Sequence, residues 1–222
     1  MAGAFFYWVL WVSQRFLRLF WWRWEIEGLE NLPPREQGGM VLASNHLHWF
    51  DVPILGASLP RSYRLSWIAK IEIFKGGVVS WWLRQMLVIP IKRGARDLAA
   101  MQAAEEALRD GAVLTIFAEG HRSRDGKLQQ GRGGAVRLAS RAGVPIVPVS
   151  IQGTQHGPLG AFRRRKITIR IGKPYHPDVE GTHIPPARMD ELTDEMMLKI
   201  AALLPEESWG YYRERMLTTS QA

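Results

Sequence analysis

His46 and Asp51 are the first pair of residues whose types suggest chemistry. An imidazole oriented by a carboxylate is a general base, because the carboxylate fixes the tautomer and stabilises the cation formed on proton uptake. On one straight helix the two side chains would lie about 140° apart and could not meet. Across a junction between a strand and a helix they can meet. Alone, the pair indicates a polar turn more readily than an active site, and His48 is a competing base.

Two later turns supply the charges that such a base would need around it. Glu119, Gly120 and Arg122 follow one predicted strand, and Arg93 follows another. The carboxyl ends of strands are where α/β proteins bind ligands, and arginine there suits a bidentate contact with phosphate. Each turn alone is equally compatible with an exposed basic loop. Together with His46 they predict a base flanked by phosphate-binding groups.

Alternating strands and helices must position these residues. Buried apolar runs predict strands, and amphipathic or alanine-rich runs predict helices. The predicted strands span residues 39–44, 64–69, 87–91, 113–117, 144–151 and 167–171. The predicted helices begin near Asp51 and span residues 77–86, 97–109, 134–141 and 186–204. This alternation predicts an α/β fold, with one domain over residues 31–217 and a mostly parallel central sheet flanked by helices.

Several local features refine these elements. Asp51 is a plausible N-cap for the helix that begins beside it, and Asp97 caps the 97–109 helix. Within that alanine-rich helix, Glu105 and Glu106 are expected on the exposed face. Gly143 is expected to end the 134–141 helix. Only residues 218–222 are typical of a loose tail.

Residues 1–30 predict a separate membrane-interface helical segment. Five of the ten tryptophans lie within the first 24 residues, next to arginines, as is typical of a bilayer interface. Gln14, Arg15, Arg18 and Glu25 fall on one helical face, and the rest is almost entirely apolar. The uninterrupted apolar run is too short to span a bilayer, which predicts a monotopic or re-entrant helix. An ordinary packed terminal helix is the alternative.

The composition narrows the class of partner. The formal net charge of +8 suits an anionic partner: nucleic acid, an acidic membrane surface or a phosphorylated substrate. Crowding of the tryptophans at one terminus favours the membrane, and no nucleic-acid-binding motif supports a nucleic-acid partner. The basic run over residues 163–166 is either a further contact with an anionic bilayer or a solvated loop. The absence of cysteine excludes thiolate chemistry and fits the reducing cytoplasmic face of a membrane.

Other common catalytic motifs are missing. The chain has no Gly-x-Ser-x-Gly elbow, no phosphate-binding loop that ends in Gly-Lys-Ser/Thr and no His-Glu-x-x-His pair. Gly131-x-Gly133 is too weak to count as a dinucleotide fingerprint. Serine hydrolysis, nucleotide hydrolysis and zinc chemistry are therefore disfavoured. We expect no cofactor and no metal site.

In four blocks the sequence resembles the glycerolipid acyltransferases of the 1-acylglycerol-3-phosphate type. The His-x-x-x-x-Asp box is residues 45–51, and a strand that ends in arginine is Val-Ile-Pro-Ile-Lys-Arg at 88–93. Phe-Ala-Glu-Gly-His-Arg-Ser at 117–123 and Val-Pro-Ile-Val-Pro-Val at 144–149 complete the set, and Ala-Lys-Ile-Glu at 69–72 resembles a further segment. The blocks occur in the family's order, and the resemblance spans roughly residues 25–180.

This resemblance implies transfer of a fatty acyl group from acyl-coenzyme A or acyl carrier protein to the hydroxyl of 1-acylglycerol-3-phosphate, giving phosphatidic acid. His46 would be the base, and Asp51 would orient it. Arg93 and Arg122 would bind the acceptor phosphate, and Glu119 would position Arg122 or an acceptor hydroxyl. Gly120 would allow close backbone approach.

Two departures from the family pattern bear on the acceptor. Ala118 stands in place of proline and is expected to loosen the turn, while His121 replaces threonine and adds an imidazole. Another lysophospholipid or a lyso-aminolipid is the alternative acceptor, and lipid-to-lipid transacylation is an alternative reaction. A catalytically silent lipid-binding protein is the alternative class.

Overall fold

The computed structural model describes residues 2–20, 23–73, 76–77, 80–81, 88–91, 98–179 and 184–219. Among these residues, one sheet contains the strands β1 (Trp24–Glu27), β2 (Met40–Ser44), β3 (Leu65–Lys70), β4 (Val88–Ile91), β5 (Val113–Phe117), β6 (Ile146–Gln152) and β7 (Ile167–Ile171). The α-helices of the described ranges are α1 (Ala2–Phe20), α2 (Asp51–Ser58), α3 (Leu98–Arg109), α4 (Gly134–Ala142), α5 (Gly157–Phe162), α6 (Pro186–Ala201) and α7 (Arg213–Thr219).

The strand order is β1-β7-β6-β2-β5-β3-β4. The run from β6 to β4 is parallel throughout, whereas β7 pairs antiparallel with β6 and parallel with β1. The carboxyl ends of β2, β3, β4, β5 and β6 therefore lie along one side of the sheet, which we call the carboxyl edge. The amino ends of β1 and β7 lie along that same edge, because these two strands run the opposite way.

Helices cover both faces of the sheet. All five residues of β2 are buried, as expected for an interior parallel strand. Val41 and Ala43 pack with α3, α4 and α6, while Met40 and Leu42 face the opposite way and pack with α2. The sequence prediction of a mostly parallel α/β sheet flanked by helices is thus confirmed.

Helix α1 packs on α2 with its polar face inward. Trp11 Nε1 donates a hydrogen bond to the Leu59 carbonyl at 2.9 Å, and Arg18 Nε donates to the Trp24 carbonyl at 3.0 Å. Large apolar side chains are exposed on the other side of the helix: Phe5, Trp8, Val9, Val12 and Phe16. Among the described residues, no helix combines the length and the apolar character needed to cross a membrane.

The N-terminal segment differs from the prediction at its end. Trp24–Glu27 forms β1, and it pairs with β7 inside the sheet. Glu25 therefore does not share a helical face with Gln14, Arg15 and Arg18, and instead pairs with Lys166 at 2.7 Å. The predicted boundary at residue 30 cuts through a part of the chain that belongs to the α/β domain.

Burial of Glu105 is a second correction. Its side chain was expected on the exposed face of α3, but it is buried and lies 2.7 Å from Arg141 Nε of α4. Glu106 is exposed, as predicted. Glu105 lies on the side of α3 that contacts α4, where Arg141 is its partner. In an alanine-rich helix the sequence does not show which side will contact a neighbouring helix.

Most other predicted elements are confirmed, with shifted ends. Strands β5 and β7 have the predicted bounds, Gly143 ends α4 at φ 70°, and α6 ends at Ala201, three residues before the predicted end. The elements that were not predicted are β1, α5 and α7. Asp97 and most of the predicted 77–86 helix lie outside the described residues.

Candidate active site

His46 and Asp51 meet at the carboxyl edge. His46 follows the end of β2, Asp51 begins α2, and the turn between them brings His46 Nδ1 to 2.7 Å from Asp51 Oδ2. Asp51 is fully buried, whereas the His46 side chain is 15% exposed. The pairing that the spacing allowed across a strand–helix junction is therefore present.

Asp51 also organises the loop that carries the base. Its Oδ2 accepts hydrogen bonds from the backbone amides of Leu47 at 2.7 Å and His48 at 2.9 Å. The prediction of Asp51 as an N-cap was wrong, because Phe50 occupies the cap position and the Asp51 side chain turns back to the preceding loop. Its buried Oδ1 has no hydrogen-bond partner within the described ranges. The carboxylate thus fixes the ring and the backbone around it.

Glu119 lies behind His46 and is fully buried. Its Oε1 accepts the His46 amide and its Oε2 accepts the Gln129 amide, each at 3.0 Å. Burial raises the pKa of Glu119 to about 7, and the two amide hydrogen bonds oppose that rise. No ion pair joins Glu119 to Arg122, so the interpretation that Glu119 positions Arg122 is not supported. Its contacts favour a role in positioning the backbone of His46.

Gly120 allows an arginine to pack on the Glu119 turn. Its φ is +73°, and an added Cβ would lie 2.7 Å from Arg132 Cδ. Arg132 Nε donates to the Glu119 carbonyl at 3.3 Å, and the Arg132 amide donates to the Ala118 carbonyl at 2.8 Å. Sequence reasoning missed Arg132. The available signal was a cation between Gly131 and Gly133, in the segment set aside as too weak a fingerprint.

Arg122 and His121 lie on the exposed side of the same turn. Within the part of the chain that the structure describes, the exposed Arg122 makes no side-chain hydrogen bond or ion pair. Ser123 fixes the turn by donating its amide to the His46 carbonyl at 2.7 Å. Arg93 lies outside the described residues, and β4 ends two residues before it.

Ala118 does not loosen the turn as the sequence suggested. Its amide donates a hydrogen bond to the Ser44 carbonyl at 2.8 Å, which ties the end of β5 to the end of β2. Proline has no amide hydrogen and could not make this bond. The departure from the family pattern therefore adds a backbone hydrogen bond to the site.

Two further residues support His46 without having been singled out. The Phe117 ring stacks on the imidazole, with centroids 3.7 Å apart and planes 11° apart. Asn45 exchanges two hydrogen bonds with Ile151 of β6, one from its side-chain nitrogen at 2.9 Å and one to its side-chain oxygen at 2.7 Å. Together they fix the plane of the ring and the end of β2.

The geometry is one in which His46 can act as a general base. When Nδ1 donates its hydrogen to Asp51 Oδ2, the Nε2 lone pair can accept a proton from a hydroxyl. Among the described residues, no cluster of three or more histidine, cysteine, aspartate or glutamate side chains is placed to hold a metal ion. An imidazole oriented by a carboxylate at this edge of the sheet can do general-base chemistry on a hydroxyl that reaches it.

The chain belongs to the Acyltransferase family, whose model matches residues 23–152. It is 30% identical over 176 residues to the 1-acyl-sn-glycerol-3-phosphate acyltransferase of Bacillus subtilis, a match that covers 78% of this chain and 84% of that protein. It is 33% identical over 183 residues to a chloroplastic 1-acyl-sn-glycerol-3-phosphate acyltransferase of Brassica napus, covering 80% of this chain. The chain spans about half of the length of that plant relative, 49%.

A solved structure shares the fold. The crystal structure of the 1-acyl-sn-glycerophosphate acyltransferase PlsC from Thermotoga maritima superposes with a TM-score of 0.64 at 26% identity. The match covers 82% of this chain and 71% of that one. The family match includes His46, Asp51, Glu119 and Arg122.

Proposed function

We propose that the chain transfers an acyl group from an acyl thioester to the free hydroxyl of 1-acylglycerol-3-phosphate, which yields phosphatidic acid and a thiol. The observation that carries the proposal is the His46–Asp51 pair, at 2.7 Å, on a partly exposed edge of the sheet. The names of the relatives supply the substrate class.

His46 acts as the base in this scheme. Nε2 takes the proton of the acceptor hydroxyl as its oxygen attacks the thioester carbonyl, and the proton then passes to the departing thiolate. Asp51 stabilises the imidazolium formed in between, and being buried it acts with little screening by water. The chain has no cysteine, which agrees with direct transfer and no enzyme thioester.

The acceptor phosphate is assigned to the cations around the Glu119–Gly120 turn. Arg122 is exposed there, and Arg132 packs across Gly120, so the two guanidinium groups border one turn. Arg93 remains a third candidate. Guanidinium binds phosphate through parallel charge-assisted hydrogen bonds, which gives both affinity and orientation.

Helix α1 supplies a membrane contact in this proposal. Its polar face packs on α2 while Phe5, Trp8 and Phe16 are exposed, the reverse of what water solubility alone would favour. The helix would lie in the interface of the cytoplasmic leaflet, where both the lipid acceptor and the lipid product reside. The reaction uses no cofactor, and the donor is acyl-coenzyme A or acyl carrier protein.

The direct test is an acyl-transfer assay on purified protein with His46→Ala. Activity toward lysophosphatidic acid is expected to be lost, because His46 is the side-chain base that contacts Asp51. His121→Ala is the matched control, since that imidazole is exposed nearby and should be dispensable. Near-normal turnover by the His46→Ala variant would move the assignment to His48.

Substrate identity is tested by a screen of donors against acceptors. Acyl-coenzyme A and acyl carrier protein are each paired with lysophosphatidic acid, other lysophospholipids and a lyso-aminolipid, and the products are measured by lipid mass spectrometry. The expected result is phosphatidic acid as the main product. Preference for a lysolipid without a terminal phosphate would reject the phosphate assignment while retaining the acyl-transfer chemistry.

A further inference from the structure

Two large apolar side chains stand out at α5. Leu159 is 70% exposed and Phe162 is 52% exposed, on a helix of six residues. The other side of the helix is buried through Gly157, Gly160 and Ala161. Exposed leucine and phenylalanine side by side on an anchored helix are unfavourable in water and mark a contact surface.

Four consecutive cations follow these apolar residues. Arg163, Arg164, Arg165 and Lys166 are all exposed. Arg165 contacts His156 and Lys166 pairs with Glu25, whereas Arg163 and Arg164 form no side-chain ion pair with any described residue. We call Leu159, Phe162 and residues 163–166 the α5 surface.

The α5 surface is an ordered structure rather than a loose loop. The amides of Arg163, Arg164 and Arg165 donate to carbonyls of α5 at 2.9–3.0 Å. Arg164 takes a φ of 57°, the left-handed conformation that closes a helix end. The apolar pair and the cations that follow it are therefore presented together in a fixed arrangement.

The α5 surface shares the carboxyl edge with His46 and with the end of α1. It connects β6 to β7, so it lies where β6 ends and β7 begins. The Ile167 amide, just beyond the cations, donates to the Arg23 carbonyl at 2.7 Å, and Arg23 directly precedes β1. The cations thus adjoin the start of β1, the strand that follows α1 in the sequence.

We propose that the α5 surface is a second lipid-docking site, in which Leu159 and Phe162 insert into an anionic leaflet and the cations bind lipid phosphates. The proposal rests on the proposed function insofar as a lipid acceptor requires the site to meet a bilayer. Charge complementarity identifies the occupant: Arg163 and Arg164, which form no ion pair with any described residue, fit an anionic headgroup layer, and the apolar pair fits the acyl region beneath it.

Docking would be coupled to the base through His48. An added Cβ at Gly157 would lie 2.8 Å from His48 Cε1, so the start of α5 packs directly on that ring. The His48 amide donates to Asp51 Oδ2, the same oxygen that holds His46. A leaflet that binds the α5 surface would therefore contact, through His48, the loop that ends at Asp51.

Insertion can be measured without any enzymatic assay. The chain has no cysteine, so Leu159→Cys and Phe162→Cys each give a single site for an environment-sensitive fluorophore. Asp110→Cys is the control, because Asp110 is exposed just before β5, at the opposite edge of the sheet. With vesicles containing phosphatidylglycerol, the labels at 159 and 162 should brighten several-fold, shift to the blue and be quenched by spin-labelled lipid, while the label at 110 should not respond.

The cations are tested by the affinity for those vesicles. Arg163→Gln and Arg164→Gln should each weaken partitioning about fivefold. Arg137→Gln, which removes an exposed arginine of α4, is the control and should leave partitioning unchanged. Lack of response at both 159 and 162, or equal binding to neutral and anionic vesicles, would overturn the proposal. A response to acyl carrier protein but not to vesicles would overturn it in favour of an acidic protein partner.

Activity measurements separate this inference from the proposed function. The double variant Leu159→Ser/Phe162→Ser should lose most activity on acceptor in anionic vesicles and retain wild-type activity on acceptor in detergent micelles. Equal activity in both formats would contradict the docking role. Absence of acyl transfer by the wild type in either format would reject the proposed function, while the fluorescence result would still decide the docking site.

Discussion

The carboxyl edge of the sheet and the layer formed by α3 and α4 each bury one glutamate, and they hold it in different ways. Glu119 at the edge accepts two backbone amides and has no cationic partner among the described residues. Glu105 in the helical layer lies beside two arginines, Arg141 at 2.7 Å and Arg109 at 3.7 Å. Backbone amides hold Glu119 and so position the backbone of the site, whereas ion pairs with arginines hold Glu105 and join α3 to α4.

The difference separates two kinds of expected effect. Changes at the carboxyl edge should act on rate, substrate affinity and pH dependence, because its polar groups converge on His46. Changes in the α3–α4 layer should act on stability alone. Variants in each region therefore test whether the carboxyl edge controls activity and the α3–α4 layer controls stability.

The largest effect is expected from Asp51→Asn. The amide keeps the shape of the side chain but loses the charge that stabilises the imidazolium, and its nitrogen can turn toward the ring and favour the wrong tautomer. We expect kcat to fall by roughly ten-thousandfold, the scale found when the carboxylate that orients a catalytic histidine is replaced by an amide. Steady-state kinetics measure this loss, and thermal unfolding serves as the control for folding. A decrease of less than tenfold would contradict the role of Asp51.

The second largest expected effect is the dependence of stability on pH that Glu119 causes. Its pKa of about 7 in the folded chain lies above the ordinary value of 4.5, so the folded state binds the proton more tightly than the unfolded state does. Stability from this group is therefore lost as pH rises from 4.5 through 7. We expect the wild type to lose roughly 2–3 kcal/mol relative to Glu119→Gln between pH 5 and pH 8. Urea unfolding at the two pH values measures the difference, and parallel pH profiles would refute it.

Arg122→Ala should have an intermediate effect, confined to the acceptor. Loss of charge-assisted hydrogen bonds to phosphate should raise the KM for lysophosphatidic acid by roughly 10- to 100-fold while the donor KM stays constant. Arg137→Ala provides a matched exposed arginine outside the site. Equal acceptor affinity in the two variants would remove Arg122 from the binding site.

Glu105→Gln should have the smallest effect. The arginine partners of Glu105 are about half exposed, so the pairs are screened, and we expect a loss of about 1 kcal/mol in the free energy of unfolding. Activity at a temperature where the variant is folded should equal that of the wild type. A change in kcat would show that the α3–α4 layer also acts on the site.

The structure of these two regions could be predicted where the contacting residues are close in the sequence, and not where they are far apart. The strands β5 and β7 were predicted with their correct bounds, because β5 is a short, mostly apolar run and β7 alternates apolar with polar residues, and both patterns are typical of strands. The His46–Asp51 pair was predictable because both residues lie in one local turn. Asp51 was nevertheless misassigned as a cap, since only the folded loop shows that its oxygen accepts amides from Leu47 and His48.

Contacts between distant segments were not predictable. Glu105 is buried by Arg141, and no periodicity within α3 indicates which side of an alanine-rich helix meets α4. Arg132 reaches the site because Gly120 leaves space for it, a relation between two loops. Strand β1 was mistaken for the end of a helix, because its four residues follow an apolar run and their partners lie far along the chain.

The long stretch of sequence between β1 and β7 constrains the order in which the sheet can form during synthesis. Glu27 of β1 and Arg170 of β7 form an ion pair across 143 residues of sequence. A ribosome produces the amino terminus first, and domains acquire structure as their segments emerge. Helix α1 therefore leaves the ribosome long before β7 exists to receive β1. During most of its synthesis the nascent chain carries β1 without its partner strand, so this edge of the sheet can form only after residues 167–171 have emerged.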